Sequence, residues 1–191
     1  MTLANASAAL KKYFGYDSFR PLQADIIQTV YDKRDALVLM PTGGGKSICY
    51  QIPAVTLEGV AVIVSPLIAL MKDQVEGLSA NGIPAAFINS TLTSEQARNV
   101  ENALLAGYVK LLYVSPEKLV SQGFQPLLKR LKISLFAIDE ALHLGMGTRF
   151  QAGIHAVAIF ERAISRHPNP RAHRYCRQTD PQGHRGTTSP A

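Results

Sequence analysis

The sequence predicts an α/β fold, a parallel sheet flanked by helices and incomplete at its C-terminal end. Apolar runs recur at Ala36 to Leu39, Gly59 to Val64, Ala85 to Ile88, Lys110 to Val114 and Leu135 to Ile138, with helix-like stretches between them. The longest of these, Gly59-Val60-Ala61-Val62-Ile63-Val64, is apolar throughout instead of alternating, as a strand covered on both faces should be. The first run also passes straight into a glycine-rich turn, Met40-Pro41-Thr42-Gly43-Gly44-Gly45-Lys46-Ser47, and then into a helix-like segment starting at Ile48.

Composition narrows the class before any motif is weighed. A chain of 191 residues can bury a substantial core. No apolar run approaches the roughly 18 to 20 residues of a spanning helix, so no membrane contact is expected. The N-terminus has no basic segment followed by an apolar one, which argues against a secretory signal. With only Cys49 and Cys176, neither a disulfide framework nor a cysteine-based zinc site is indicated, and the cytosol is the expected compartment. The net charge of +6 is unevenly spread. Residues 1–141 hold 13 Lys+Arg against 12 Asp+Glu, whereas residues 142–191 hold 7 Arg against 2 acids and all five histidines.

Taken in order, Asn5 to Tyr13 reads as an amphipathic helix with Ala9, Leu10, Tyr13 and Phe14 towards the core, closed by Gly15. A second helix follows through Ala24 to Val30, with Pro21 in its first turn and Ser18 as its cap. Between them, Tyr16 could stack on a flat base, and Gln23 carries an amide that donates and accepts at once, as an adenine edge demands. A polar face on an N-terminal helix accounts for these two residues equally well.

The glycine-rich turn has the layout of a P-loop. Glycines let backbone N–H groups close on a phosphate, and the helix that follows offers its positive end. Thr42, Gly43, Gly44 and Gly45 would form the cradle, Lys46 would reach the outer phosphates, and the Ser47 hydroxyl would ligate Mg²⁺. Met40 stands where the G-x-x-x-x-G-K-S/T pattern has its first glycine. The buried runs ending at Val64 and Val114 are each stopped by Ser-Pro, at Ser65-Pro66 and Ser115-Pro116, before a polar helix start near the ligand-binding edge of an open sheet. Thr93 and Gln96 form a capping box for a helix to about Leu105. The last run enters Asp139-Glu140, a Walker B arrangement in which the first carboxylate holds Mg²⁺ and the second polarises the attacking water.

These residues closely resemble the RecQ family of superfamily 2 DNA helicases, of DEAD/DEAH-box type. The Phe-Gly-Tyr…Phe-Arg-Pro-x-Gln segment is similar to the family's adenine-reading motif, which implies roles for Tyr16, Arg20 and Gln23. Met40 to Ser47 matches its M-P-T-G-G-G-K-S motif, so the missing glycine is itself a family mark. Val64 to Leu67 with Leu70 to Gln74 resembles motif Ia, and Tyr113 to Glu117 the next DNA-facing motif. The resemblance implies DNA contacts at Pro66, Leu67, Lys72, Gln74, Ser115 and Pro116. It further implies a RecA-like lobe, ATP and Mg²⁺ as cofactors, single-stranded or duplex-junction DNA as partner, and ATP hydrolysis coupled to 3'-5' unwinding in repair and recombination. Catalysis would fall to Lys46, Asp139 and Glu140. No specific protein partner is indicated, and the location implied is bacterial cytosol or nucleoid.

The resemblance runs from Phe14 to Ala141 and stops within one residue. The family continues Asp-Glu-Ala-His-Cys-Ile-Ser-Gln-Trp-Gly-His-Asp-Phe-Arg-Pro-Glu-Tyr, where this chain reads Leu142-His143-Leu144-Gly145-Met146-Gly147-Thr148-Arg149-Phe150. Back-translation from the second base of the Leu142 codon forces Trp from Met146-Gly147 and permits the rest of that run except its Gln. Arg171 to Arg177 likewise permits Ala-Leu-Thr-Ala-Thr-Ala-Asp, similar to the family's motif III. Two motifs recovered in order from one shifted frame lead to an expectation of two parts. Residues 1–141 are the N-terminal part of the first RecA-like lobe, and residues 142–191 are an out-of-frame, largely disordered basic tail in which only Ala156 to Ile164 keeps a regular period. Five histidines there form no metal-ligand spacing. A two-lobed motor takes its transition-state arginines from the second lobe, so the fragment is expected to bind nucleotide but to have little or no activity alone. A non-enzymatic ATP- or nucleic-acid-binding module is the alternative. A small P-loop kinase is disfavoured, because the adenine motif and motif Ia would have no role in it.

Overall fold

The computed structural model describes residues 1–40 and 43–139, together with the backbone of 156–161. Its centre is a six-stranded parallel sheet. The strands are β1 (Ala36–Met40), β2 (Val60–Val64), β3 (Ala85–Ile88), β4 (Leu111–Val114), β5 (Ile133–Ile138) and β6 (Ala156–Glu161). Their order across the sheet is β1-β6-β5-β2-β4-β3. The five strands expected from the apolar runs are all present. The sixth falls within residues 142–191, in the one stretch with a regular period, and the rest of that segment lies outside the described residues.

Every residue of β2 and β4 is buried, and alternate side chains feed two cores. Val60, Val62 and Val64 pack with Leu112, Val114, Phe136 and Ile138 on one face. Ala61 and Ile63 pack with Val38, Leu111, Tyr113 and Ala137 on the other. That two-sided burial is why these segments read as continuous apolar runs. β1 differs, with Ala36, Val38 and Met40 buried while Leu37 and Leu39 remain 45% and 53% exposed.

Helices α1 (Leu3–Ala9), α2 (Gln23–Tyr31), α3 (Ile48–Thr56) and α4 (Ile68–Ala80) precede α5 (Ser94–Leu105), α6 (Pro116–Leu119) and α7 (Gln125–Leu128). The first helix is capped by Thr2 and passes into a π-helical turn over Leu10–Phe14, which Gly15 ends in the left-handed conformation at φ 73°. Thr93 and Gln96 satisfy one another as expected, with Gln96 N–H donating to Thr93 Oγ1 at 3.2 Å and Thr93 N–H to Gln96 Oε1 at 2.9 Å. The start of α2 departs from expectation. Leu22, at φ 74°, occupies its N-cap without a side-chain bond, so neither Ser18 nor Pro21 starts that helix. The Gln23 side chain turns back instead, and its Oε1 accepts from Arg20 N–H at 2.8 Å.

Candidate nucleotide site

The turn after β1 is shaped by glycine. Gly43 and Gly45 take φ values of 76° and 78°, which cost a side-chain-bearing residue steric energy. From this turn α3 departs at once, with Ser47 at its N-cap and the N–H of Gln51 bonded to the Ser47 carbonyl at 2.9 Å. Gly44, Lys46 and Ser47 are half-buried, and Gly43 is exposed. Thr42 lies outside the described residues.

The adenine-motif residues meet this turn directly. Gln23 is 3% exposed and donates Nε2 to the Gly45 carbonyl at 2.9 Å. Arg20 donates Nη1 to the Gly43 carbonyl. A cavity of about 310 Å³ opens beside them, with Tyr16, Arg20, Gln23, Gly45, Ser47 and Gln74 among its lining. Tyr16 stands 54% exposed at its mouth, where a planar group could stack on it.

Asp139 follows β5, and its N–H donates to the Val64 carbonyl at 2.9 Å. One strand, β6, lies between β5 and β1, so two strand spacings, roughly 10 Å, separate it from Met40. Tyr50, within the first turn of α3, reaches across and donates its hydroxyl to Asp139 Oδ2 at 3.0 Å. The phenol thus ties α3, the helix that Ser47 caps, to Asp139. Burial holds the Tyr50 hydroxyl neutral, pushing its pKa well above 10.0, and the neighbouring Tyr113 and Asp139 add to the rise. A hydroxyl and a buried carboxylate are hard oxygen donors, and the pair suits a hard divalent cation. Among the described residues no cluster of three His, Cys, Asp or Glu offers another metal site. Glu140, expected beside Asp139, lies outside the described residues, as do the five histidines.

The residues expected at DNA divide in two. Leu67 is 44% exposed, Pro66 and Pro116 are half-buried, and Lys72 is exposed with Glu76 at 3.7 Å. Ser115 is buried, and its hydroxyl accepts from Lys118 N–H at 3.4 Å as the cap of α6. Gln74 turns into the nucleotide cavity, where its Oε1 accepts from Gln51 Nε2 at 3.0 Å. Sequence reasoning missed Tyr50 and Gln51 as members of the site. The signal was present, since they are adjacent polar residues in a segment, Ile48 to Ala54, that is otherwise apolar and wholly buried.

Fold and site together define a RecA-like α/β lobe with a glycine-rich turn at the head of α3. The chain belongs to the DEAD/DEAH box helicase family, whose model matches residues 20–170. Among curated relatives it is 52% identical over 136 residues to the ATP-dependent DNA helicase RecQ of Haemophilus influenzae, covering 71% of this chain and 22% of that protein. It is 48% identical over 140 residues to the RecQ helicase of Bacillus subtilis, covering 73% of this chain and 24% of that one. The chain therefore spans about a quarter or less of these relatives. A crystal structure of a hypothetical ATP-dependent RNA helicase from Sulfolobus tokodaii shares the fold, with a TM-score of 0.61 at 18% identity over 86% of this chain and 52% of that one.

Proposed function

We propose that this chain is the nucleotide-binding part of a RecQ-type ATP-dependent DNA helicase, with ATP held by the turn after β1. The observation that carries the reading is the Tyr50–Asp139 hydrogen bond, which fastens α3, the helix that Ser47 caps after the glycine-rich turn, to the end of β5. Tyr16, Arg20 and Gln23 hold the base, and the backbone of Gly43 to Ser47 with Lys46 holds the phosphates. Ser47 and Asp139 would hold a Mg²⁺ ion, which when bound would neutralise charge on the phosphates. Glu140 orients and polarises the attacking water. Pro66, Leu67, Lys72 and Pro116 lie after the C-terminal ends of β2 and β4, where a DNA strand would cross the sheet. The same reading assigns a cytosolic or nucleoid location.

The domain division belongs to this proposal, with the reading frame shifted after Ala141. Matches to RecQ relatives over 136 and 140 residues have the length it predicts, whereas the family model runs on to residue 170 and a match to the RecQ of Synechocystis covers 161 residues. Sequencing the gene tests it, since a codon other than ctg at Leu142, or no helicase sequence in the restored frame, refutes the shift.

For function, the test is binding of a fluorescent ATP analogue by the full chain, with Lys46→Ala as control and ATPase measured with and without single-stranded DNA. We expect Mg²⁺-dependent binding weakened at least tenfold by Lys46→Ala, and no DNA-stimulated turnover from this chain alone. Lysine-dependent, DNA-stimulated hydrolysis would show the lobe to be self-sufficient. Absence of nucleotide binding, with salt-sensitive DNA binding retained, would favour a nucleic-acid-binding module.

A further inference from the structure

Helix α3 carries two buried polar side chains at successive positions, and they leave it in different directions. Tyr50, 0% exposed, reaches Asp139. Gln51, 5% exposed, donates Nε2 to Gln74 Oε1 on α4 at 3.0 Å. Tyr113 of β4, 1% exposed, meets the second of these pairs. Its hydroxyl lies 3.5 Å from both Gln51 Nε2 and Gln74 Oε1, and it belongs to the same buried core cluster as Tyr50. Gln74, in the wall of the nucleotide cavity, therefore holds Gln51, and the preceding residue on the same helix, Tyr50, holds Asp139.

Packing alone does not call for this arrangement. Phe and Leu would fill the same volume without polar atoms to satisfy, and buried polar groups stabilise little beyond their apolar counterparts. What such a network does well is hold each member in one orientation, because every alternative rotamer leaves a buried group unpaired. The member at its end is the carboxylate assigned to the metal.

We propose that Tyr50, Gln51, Tyr113 and Gln74 form a positioning network that sets the orientation of the Asp139 carboxylate from helix α4. Metal affinity at Asp139 then depends on Gln74, although Gln74 bonds neither Ser47 nor Asp139 in the network. The inference rests on the reading of Ser47 and Asp139 as metal ligands. It assigns Tyr50 and Tyr113 as positioning residues and gives Gln74 a role other than touching DNA. Both observed bonds to Gln74 Oε1 are accepted ones, so a carboxylate there preserves them whereas a methyl group does not.

The test is a Mg²⁺ titration of the full chain at saturating fluorescent ADP, with thermal melts to confirm folding. Tyr50→Phe should raise the half-saturating Mg²⁺ concentration about tenfold, and Gln74→Ala at least threefold. Gln74→Glu should restore it to within twofold of wild type, a rescue that a general loss of packing would not produce. An unchanged Mg²⁺ midpoint in folded Gln74→Ala, or failure of Gln74→Glu to restore a shifted one, overturns the proposal. Should Tyr50→Phe not fold, the half-buried Gln74 pair decides the matter by itself. If the wild-type chain binds nucleotide with no Mg²⁺ dependence, the metal assignment fails first and takes this inference with it.

Discussion

The Gln23 side-chain amide donates to the Gly45 carbonyl across 2.9 Å, fastening the start of α2 to the turn before α3. A Cβ added at Gly45 would lie 2.5 Å from that same Nε2. With φ at 78°, Gly45→Ala carries both backbone strain and a displaced Gln23. We expect a stability loss of about 1–2 kcal/mol from the left-handed backbone, together with nucleotide binding weakened beyond what that loss explains. Chemical denaturation beside fluorescent-nucleotide titration checks it. Unchanged nucleotide affinity would show that the Gln23 contact is dispensable.

Gly59 predicts a purely structural effect. At φ 107° its Cβ would sit 2.2 Å from the Lys132 carbonyl, a rigid backbone atom at the start of β5. β2 and β5 already shift register between Val60 and Ala61 there. Gly59→Ala should therefore destabilise the sheet by about 2 kcal/mol or more, the sum of strain and overpacking, and leave nucleotide affinity unaltered in the folded fraction. Urea titration monitored by circular dichroism gives the measurement.

Burial separates two positions of similar chemistry. Ile63, fully buried between strands, should lose about 2–5 kcal/mol on Ile63→Ala. Leu39, 53% exposed on β1, should tolerate Leu39→Thr within about 0.5 kcal/mol while the chain becomes more soluble. Denaturation midpoints and sedimentation after heating test the pair. A large loss at Leu39 would mean that this face of β1 is covered.

Alkali should unfold the protein through three buried acids. Burial raises Cys49 from 9.0 and Tyr113 from 10.0, each to about 12, and raises Tyr50 well above 10.0. Each group stays protonated in the fold while its unfolded counterpart ionises first. The stability is thus fully present below about pH 9 and falls as pH climbs towards the folded values, by about 1.4 kcal/mol per pH unit for each group. Unfolding free energies measured between pH 8 and 11 should decline more gently in Tyr113→Phe. An identical pH slope in that variant would refute the account.

The local features of the fold were legible in the sequence. Strand interiors betray themselves by unbroken apolar runs such as Val60 to Val64, and Thr93 with Gln96 announces a helix start within four residues. Leu22 was not legible, because a left-handed leucine is locally unfavourable and is held by what surrounds it. The position of β6 was also beyond a local reading, since pairing partners far apart in sequence leave no periodic trace in either segment. At the site, Gly43 to Ser47 and Asp139 stand out because their chemistry requires special residue types. Tyr50, Gln51 and Tyr113 are marked only by polarity inside apolar stretches, a signal that does not tell a residue that fills space from one that orders a neighbour. The inward turn of Gln74 likewise depends on Gln51, a residue on another helix.

The placement of β6 has a consequence for how the protein is made. β5, β2, β4 and β3 are contiguous, and all their residues precede Asp139, so that four-stranded block can close from chain already in hand. β1 cannot join it directly. Its sheet neighbour is β6, with Ala36 opposite Val157 and Met40 opposite Glu161, and β6 in turn pairs with β5 through Phe136 to Ile138. The strand that leads into the glycine-rich turn, although near the start of the chain, takes its place in the sheet only when the last described strand pairs on both its edges. Late, non-local pairing of this kind is slow. Any ligand that grips both sides of the seam would draw the final docking step towards completion by mass action. The two ends of the nucleotide site are thus also the two ends of the molecule's longest wait during folding.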